Sequence, residues 1–452
     1  MKMQFWTVVS AGALSGLLAC SGASAQALAD IMQDALDGSQ TLAADRATLD
    51  AQREATAQAR SSALPSVSIG GFVGANEATY NPGTEGNQFL DSLGVADFAM
   101  TGLDPATTSN GVSLTASQTL FAGGRVRNSI RAARASVRAA EASFGAGLED
   151  TVFEIISAYY DVIRREEQSV ALSQSLTTLR EQEQAAKVSF DLGRATKTDV
   201  VLIEAQRADV EARQASIRAQ VASARLNFEA LTGIAVEDYL LPAAPPVYPD
   251  NVDQLIETTW SANQNLKAAT AAVEAGEAQV RAARGQRLPA VELAGTLSYS
   301  EGNLIQNDSI ENASIQLRLT TPLFSGGRIS SEVRQAKSEL RSSRFSQADL
   351  NRRLEAAVRA AYGEALAATM ARLSSNEQLK ASATAYEGVN IEYDLGKRTT
   401  IDVLNAEDDL LAARFATIDA RVVEDLSIYN LLRLSGTLAN SFQTNASPES
   451  GQ

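Results

Sequence analysis

The sequence predicts an α+β membrane protein whose protomer is an internal duplication, with four β-strands and long coiled-coil α-helices. Three observations lead to this fold class. Two motifs recur at one constant spacing, four short segments alternate apolar and polar residues, and two long segments contain no proline. Alternation of period two is typical of strands, whereas long uninterrupted segments rich in helix formers are typical of helices.

The duplication is carried by two short motifs. Residues 120–125 read Leu-Phe-Ala-Gly-Gly-Arg and residues 323–328 read Leu-Phe-Ser-Gly-Gly-Arg. Likewise, 190–193 read Phe-Asp-Leu-Gly and 393–396 read Tyr-Asp-Leu-Gly. Both pairs are 203 positions apart, so this part of each repeat has diverged without net insertion or deletion, as tightly packed long helices require.

These repeats divide the chain. We predict a first repeat at 26–246 and a second repeat at 247–440, each with a leading helix, two strands and a long helical hairpin. A flexible tail would follow at 441–452. The first repeat carries extra residues within 76–110, a Gly-, Asn-, Thr- and Asp-rich stretch that predicts a loop.

The predicted strands lie near 64–75, 111–121, 288–300 and 312–322, where apolar residues alternate with small or polar ones. About ten residues of this pattern are enough to cross a bilayer when the strand is tilted. A run of about 20 apolar residues, as a spanning helix requires, is absent from the sequence after the N-terminal segment.

The predicted hairpins begin with proline-free stretches near 126–190 and 329–393, each of which would form a helix roughly 100 Å long. Turns follow near Gly193 and Gly396. The returning helices carry apolar residues at seven-residue spacing, which predicts coiled-coil packing. These positions are Ile203, Val210, Ile217, Ala224 and Leu231 in the first repeat, and Leu404, Leu411, Ile418 and Leu432 in the second, interrupted by Asp425.

The N-terminus predicts a secretory signal peptide at 1–25, with a charge at Lys2, an apolar stretch and a small-residue run before residue 26. Cys20, the one cysteine in the chain, allows two interpretations. Leu17-Leu18-Ala19-Cys20 resembles a lipoprotein signal, in which Cys20 would be acylated and retained. The interpretation that we prefer discards Cys20 with the signal peptide.

Composition argues against several functional classes. The net charge of −15 disfavours a nucleic-acid partner, which needs the opposite sign. With no histidine and one cysteine, the chain lacks the usual zinc ligands and the commonest general base. No acid pair or nucleotide motif stands out, so we expect no enzyme activity, no cofactor and no metal site.

Four strands cannot close a barrel, and an open edge in hydrocarbon would leave backbone groups unpaired at several kcal/mol each. Other copies of the chain must therefore complete the sheet. Two copies would give eight strands, whose interior side chains fill, whereas three give twelve strands and a lumen. The sequence thus predicts a homotrimer in contact with membrane lipid.

The paired Gly-Gly-Arg boxes, the Leu-Pro-x-Val strand starts at 64–67 and 288–291, and the segment 393–404 resemble the TolC family of outer-membrane export proteins. The resemblance implies a trimer with a 12-stranded β-barrel in the outer membrane, joined to a 12-helix periplasmic α-barrel. It also implies a passive exit duct of a tripartite system for type I protein secretion, multidrug efflux or both. The implied partners are a periplasmic adaptor and an inner-membrane ABC or RND transporter.

The turns of the two hairpins carry the predicted site. Thr196 to Asp199 and Thr399 to Asp402 follow the capping-box pattern, which alone would explain both aspartates. The resemblance further implies a periplasmic gate formed by Asp402, Asp199, Arg398 and Tyr393, with Asp402 in an acidic ring. Gly193 and Gly396 would mark the surfaces that contact the adaptor.

A link between Arg398 and Asp199 is expected to hold this gate shut. Two positions depart from the family pattern: Asn405 stands in place of a second acidic residue, and Val188 in place of a polar one. We therefore expect weaker closure. The alternative function is a non-conducting periplasmic coiled-coil adaptor or scaffold, which would need one hairpin and no membrane-length strands.

Overall fold

A computed structural model of the protein describes residues 28, 31–77, 106–235, 245–249, 251–302 and 309–443. The predicted signal peptide, with Cys20, lies outside this part of the chain. So do most of the predicted loop at 76–110 and most of the predicted tail.

The described elements alternate between short strands and long helices. They are α1 (31–38), α2 (Gln40–Ser61), β1 (Ser66–Glu77), β2 (Ala106–Ala122), α3 (Arg125–Asp191), α4 (Lys197–Thr232), α5 (Val252–Ala262), α6 (Gln264–Gly285), β3 (Ala290–Glu301), β4 (Ser309–Thr320), α7 (Arg328–Asp394), α8 (Thr400–Ser435) and α9 (Leu438–Gln443). Among these helices, none combines the length and the apolar character needed to cross a membrane. The predicted α+β class, with four strands and long helices, is confirmed.

The chain divides into two compact units. A helical unit comprises Met1–Leu49, Glu141–Ala268 and Ala348–Gln452, and a sheet unit comprises Asp50–Ala140 and Ala269–Gln347. The two repeats therefore do not form separate units. Each repeat contributes its two strands and the first part of its long helix to the sheet unit, and the rest of its helical hairpin to the helical unit.

The sheet places β1, β2, β3 and β4 side by side in chain order, each antiparallel to the next. Its register pairs Ile69 with Leu114 and Leu114 with Leu297, so apolar residues of neighbouring strands share one face. This apolar face is open to solvent: Ile69 is 74% exposed, Leu297 58% and Ile315 84%.

The opposite face of the sheet is mostly polar. One cross-strand row on this polar face consists of hydroxyl side chains, with Ser68 beside Thr115, Thr115 beside Thr296, and Thr296 beside Ser314. Phe72, four residues after Ser68 on β1, is an aromatic residue on this face and pairs with Gly111 of β2. Its ring lies over Gly111, where an added Cβ would come within 2.7 Å of it.

The first Gly-Gly pair joins β2 to α3 by a tight turn. Gly123 has φ 61°, and a Cβ there would lie 2.3 Å from the carbonyl oxygen of Gly285 at the end of α6. Only glycine satisfies both the left-handed backbone and this close approach. In the second repeat Gly326 also has positive φ, but a Cβ would meet nothing within 4 Å, so only the backbone conformation favours glycine there.

The core of the helical unit is aromatic. Tyr159 and Tyr160 of α3, Phe228 of α4 and Tyr429 of α8 are at most 1% exposed. The Tyr159 ring lies 6.2 Å from that of Phe228, and the Tyr160 ring lies 6.0 Å from that of Tyr429. Leu438 of α9 is also fully buried in this cluster. That burial explains why the helical part of the chain continues to Gln443, into the segment predicted as tail.

Nearer the hairpin turns, the coiled-coil prediction is confirmed in the first repeat. Ile203, Val210, Ile217 and Ala224 are buried on one face of α4. The apolar cluster around the first three of these residues also includes Leu172, Leu176 and Leu179 of α3, and Leu404 and Leu411 of α8. Seven-residue spacing keeps these side chains against the neighbouring helices.

Asp425 interrupts the apolar spacing in α8, and it is buried nonetheless. Burial raises the pKa of Asp425 to about 6, and the nearby Glu424 carboxylate adds to the increase. A hydrogen bond with Tyr160 favours the ionised form in the opposite direction. This tyrosine partner explains how a carboxyl group occupies a position that the pattern assigns to an apolar residue.

Candidate functional site at the two hairpin tips

The first tip comprises residues 189–199, between α3 and α4. Gly193 has φ 72°, and its N–H donates to the carbonyl of Phe190 at 2.9 Å, while Arg194 N–H donates to the carbonyl of Ser189 at 2.8 Å. These bonds end α3, because the left-handed glycine turns the chain away from the helix axis.

A capping box then starts α4. Asp199 N–H donates to Thr196 Oγ1 at 3.2 Å, and Thr196 N–H donates to Asp199 Oδ2 at 2.9 Å. The predicted capping role of Asp199 is therefore present, and two backbone donors that the helix start leaves free are satisfied.

The second tip comprises residues 392–402, between α7 and α8, and repeats this arrangement. Gly396 has φ 74°, and its N–H donates to the carbonyl of Tyr393 at 2.8 Å. Asp402 Oδ2 accepts from Thr399 N–H at 2.9 Å and from the Thr399 hydroxyl at 2.7 Å. The matching geometry shows that the duplication extends to the turn chemistry.

One hydrogen bond joins the two tips. The Thr400 hydroxyl donates to Asp199 Oδ1 at 2.8 Å, and the Tyr393 hydroxyl oxygen lies 3.5 Å from Thr400 Oγ1. Thr400 is only 5% exposed. The structure therefore brings Tyr393 and Asp199 together through a residue that the sequence pattern did not single out. The available signal was its place directly after the capping threonine, where the first repeat has Lys197.

Arg398 does not make the contact expected from the sequence. Its Nε lies 2.7 Å from Glu392 Oε2, at the end of α7, and the contacts of the described residues include no Arg398–Asp199 bond. The Arg398–Asp199 link is therefore not made within the chain, and its role in holding the gate shut stays a prediction. Arg398 pairs locally because the Gly396 turn brings it back beside α7. Asp199 Oδ1 accepts a hydrogen bond from the Thr400 hydroxyl instead.

Electrostatics keep both tip aspartates ionised. Hydrogen bonds from the Thr196 hydroxyl and backbone, and then from Thr400, lower the pKa of Asp199. The Thr399 backbone and hydroxyl, with the charge of Arg398, lower the pKa of Asp402. Glu392 raises the pKa of Arg398. Because the folded pKa values of both carboxyls are depressed, these contacts are present at neutral pH and weaken only as the pH falls through those values.

A charged network follows the first tip along its hairpin. Lys187 Nζ lies 2.5 Å from Glu183 Oε1 and 3.1 Å from Glu204 Oε1. Arg207 Nε lies 2.6 Å from Glu183 Oε2. The hydrogen bond from Lys187 is the main cause of the lowered pKa of Glu183. Water and salt screen pairs of this kind, so they align α3 with α4 more than they stabilise the fold.

The two departures from the family pattern both lie on the surface. Val188 is 54% exposed on α3, and Asn405 is exposed on α8. Across the described residues, no cluster of three or more Asp, Glu, Cys or His side chains is arranged to hold a metal ion. The tips thus offer hydrogen bonds and ion pairs between helices.

Most of the chain matches a known protein family. The profile of the outer membrane efflux protein family matches residues 31–234 and 255–437. The chain belongs to this family. Both tips and both long hairpins fall within the matched segments.

Individual proteins that the chain resembles agree with this assignment. The outer membrane efflux protein BepC of Brucella suis biovar 1 is 29% identical over 344 residues, which cover 75% of each chain. The outer membrane protein TolC of Vibrio cholerae serotype O1 is 26% identical over 333 residues, covering 69% of this chain and 73% of that protein. The Campylobacter jejuni CmeC outer membrane channel superposes with a TM-score of 0.75 at 17% identity, over 91% of this chain and 86% of that one, which shows a shared fold.

Family membership identifies the protein as an outer-membrane export or efflux channel component. It favours this function over the non-conducting adaptor that the sequence left open as an alternative. The roles of Asp402, Asp199, Arg398 and Tyr393 as gate residues are a separate matter and stay predictions.

Proposed function

We propose that three copies of this chain form a passive outer-membrane duct that opens at the hairpin tips. The observation that carries the proposal is the sheet, whose apolar face is exposed and whose other face is lined by hydroxyl groups. Among the described strands, β1 and β4 each have one edge without a partner. Such edges are not tolerated in hydrocarbon, so neighbouring copies would pair them.

The number of copies follows from the size of a closed sheet. Eight strands enclose a space that side chains fill, whereas twelve leave a channel. With four strands per chain, three copies supply twelve. The small hydroxyl side chains of the polar face would then line a water-filled lumen, and the apolar face would contact lipid.

A stripe on α7 also supports association between copies. Leu366, Met370 and Leu373 are 51%, 56% and 49% exposed. Their spacing of four and three residues places them on one side of the helix. A second copy of the helical hairpin is the partner that fits such a stripe, since the chain already uses seven-residue packing between its own helices.

The tips would act as the gate. The Thr400–Asp199 bond, with Tyr393 beside it, ties the second tip to the first and would hold the duct narrow. Arg398 and Asp402 would face the periplasmic entrance, where a carboxylate ring would favour cations. A periplasmic adaptor would contact the turns at Gly193 and Gly396, and an inner-membrane ABC or RND transporter would supply energy. The cargo would be a protein, small molecules or both.

The duct is tested by membrane fractionation, gel electrophoresis with and without heating, and conductance in a planar bilayer. We expect an outer-membrane band at trimer mass that collapses on heating, and discrete conductance steps from the purified protein. A water-soluble monomer that carries no ion current would contradict the proposal.

The gate is tested with Thr400→Val, which removes the hydroxyl but keeps the shape of the side chain. We expect a severalfold rise in single-channel conductance. Thr369→Val is the matched control, because the Thr369 hydroxyl donates to the carbonyl of Ala365 in its own helix, at 3.1 Å, and to no other described residue. Arg398→Ser should have a smaller effect than Thr400→Val, since its pair with Glu392 is exposed. Equal conductance of Thr400→Val and wild type would exclude this bond from gating.

A further inference from the structure

The two tips are copies of each other, yet the described part of the chain shows one of the two contacts that this equivalence allows and not the other. Thr400 of the second tip donates to Asp199 of the first. The repeats are 203 positions apart, so position 400 of the second repeat corresponds to position 197 of the first, which is lysine. Likewise, Asp199 of the first repeat corresponds to Asp402 of the second. Lys197 and Asp402 are therefore the equivalent pair at the next boundary between tips.

The described contacts of these two residues leave room for such a pair. Asp402 Oδ2 is held by Thr399 as Asp199 Oδ2 is held by Thr196. Asp199 Oδ1 accepts from Thr400, whereas none of the described donors contacts Asp402 Oδ1. Lys197 is exposed and forms no ion pair with the described part of the chain.

We propose that Lys197 of one copy forms an ion pair with Asp402 of the adjacent copy, so that each boundary between protomers is closed by charge. This inference rests on the proposed trimer. In a ring of three chains, first and second tips alternate, and each second tip is followed by the first tip of the next copy. If the rotation from one tip to the next is the same all around the ring, the contact between a second tip and the first tip of the next copy joins Asp402 to Lys197.

The two kinds of boundary then differ in chemistry. Within a chain, a short neutral threonine holds the tips close. Between chains, lysine has a flexible four-carbon stem, which spans a wider gap and pairs as a point charge. The contact between Lys197 and Asp402 should therefore be more sensitive to salt than the Thr400–Asp199 hydrogen bond. Lys197 also offsets the charge of Asp402, so the predicted acidic ring repels anions less than three free carboxylates would.

Cysteine crosslinking distinguishes the boundaries. The chain has no cysteine except Cys20, so the pair Lys197→Cys with Asp402→Cys can be joined by a short bis-maleimide, which matches the reach of lysine better than a disulfide. We expect crosslinked dimers and trimers on a denaturing gel. The matched pair Thr400→Cys with Asp199→Cys should crosslink within one chain and give no oligomers. Each single variant controls for reaction at Cys20.

Conductance provides a second readout. Lys197→Met and Asp402→Asn should each raise single-channel conductance, and the double variant should raise it no further than the larger single effect, because both remove the same contact. Additive effects would overturn the proposal. Lys197→Met should also increase cation selectivity, since it removes the charge that offsets Asp402.

The outcomes separate this inference from the proposed function. A heat-sensitive trimer that conducts ions, but shows no crosslink between chains through positions 197 and 402, would overturn the ion pair and leave the duct intact. Absence of both the trimer and the conductance would reject the duct itself, and the ion pair with it.

Discussion

The helical unit and the sheet unit differ in the burial of their largest groups of apolar residues. In the helical unit, Tyr160, Phe228 and Tyr429 are buried against one another by three helices of the same chain. In the sheet unit, Ile69 and Ile315 lie on an open face. The aromatic core is thus enclosed within one chain, whereas the described residues leave the apolar face of the sheet uncovered, a pattern typical of a sheet that faces lipid.

The largest effect is expected in the aromatic core. Replacing Phe228 with Ala removes a fully buried ring that packs 6.2 Å from Tyr159, and should cost about 3–5 kcal/mol of unfolding free energy. Thermal unfolding followed by circular dichroism in detergent measures the change. Leu226→Ala is the control on the same helix, at a residue that is 65% exposed. Equal losses at the two positions would break the contrast, because they would show that exposed apolar residues of the helical unit are also buried in the assembly.

A charge on the apolar face of the sheet should have the next largest effect. Arginine in place of Leu297 would enter hydrocarbon and should cost roughly 2–4 kcal/mol, with less heat-sensitive trimer in the outer membrane. Thr296→Arg is the matched control, since the neighbouring residue lies on the polar face. Equal tolerance of both variants would mean that lipid does not cover the apolar face.

A smaller, pH-dependent effect is expected at Glu149, a buried acid of α3. Its Oε2 accepts from Ala439 N–H at 3.0 Å. Burial raises the pKa of Glu149 to about 7; backbone bonds from Ala439 and Leu438 and the charge of Arg433 lower it, and Asp150 raises it. Because the folded pKa exceeds the ordinary value, the protonated form is favoured, and the folded protein loses stability as the pH rises from about 4.5 to 7.

Replacing Glu149 with Gln should therefore stabilise the protein at pH 8, by about 1–3 kcal/mol, and change little at pH 5. Melting temperatures at the two pH values measure this difference. Glu154→Gln, at an exposed position of the same helix, is the matched control. Destabilisation by Glu149→Gln at pH 8 would indicate that the ionised carboxylate is needed in the core.

Much of the fold was predictable because it depends on local patterns. Alternation along the strands predicted one apolar face, and the observed register brings those residues together across β1, β2 and β3. The capping boxes were also readable, since Thr196 with Asp199 and Thr399 with Asp402 satisfy bonds within four residues. Such contacts need no distant partner, so neighbouring residues determine them.

Contacts between distant segments could not be predicted in this way. Thr400 looked like part of a cap, and only the packing of one hairpin against the other brings its hydroxyl to Asp199. Arg398 pairs with Glu392, a partner that the sequence pattern did not indicate. The sequence pattern marks Asp425 as an interruption of the coiled coil, whereas the structure shows that it is hydrogen-bonded to Tyr160.

By itself, the sequence determined the duplication, the two faces of the strands, the long helices and the capped turns, because each arises from periodicity or from hydrogen bonds between close neighbours. Only the tertiary structure decided which charged and hydroxyl groups meet, and which acids lie buried. Those outcomes depend on how helices from different repeats pack side by side, and residues some 200 positions apart leave no periodic signal of their contact.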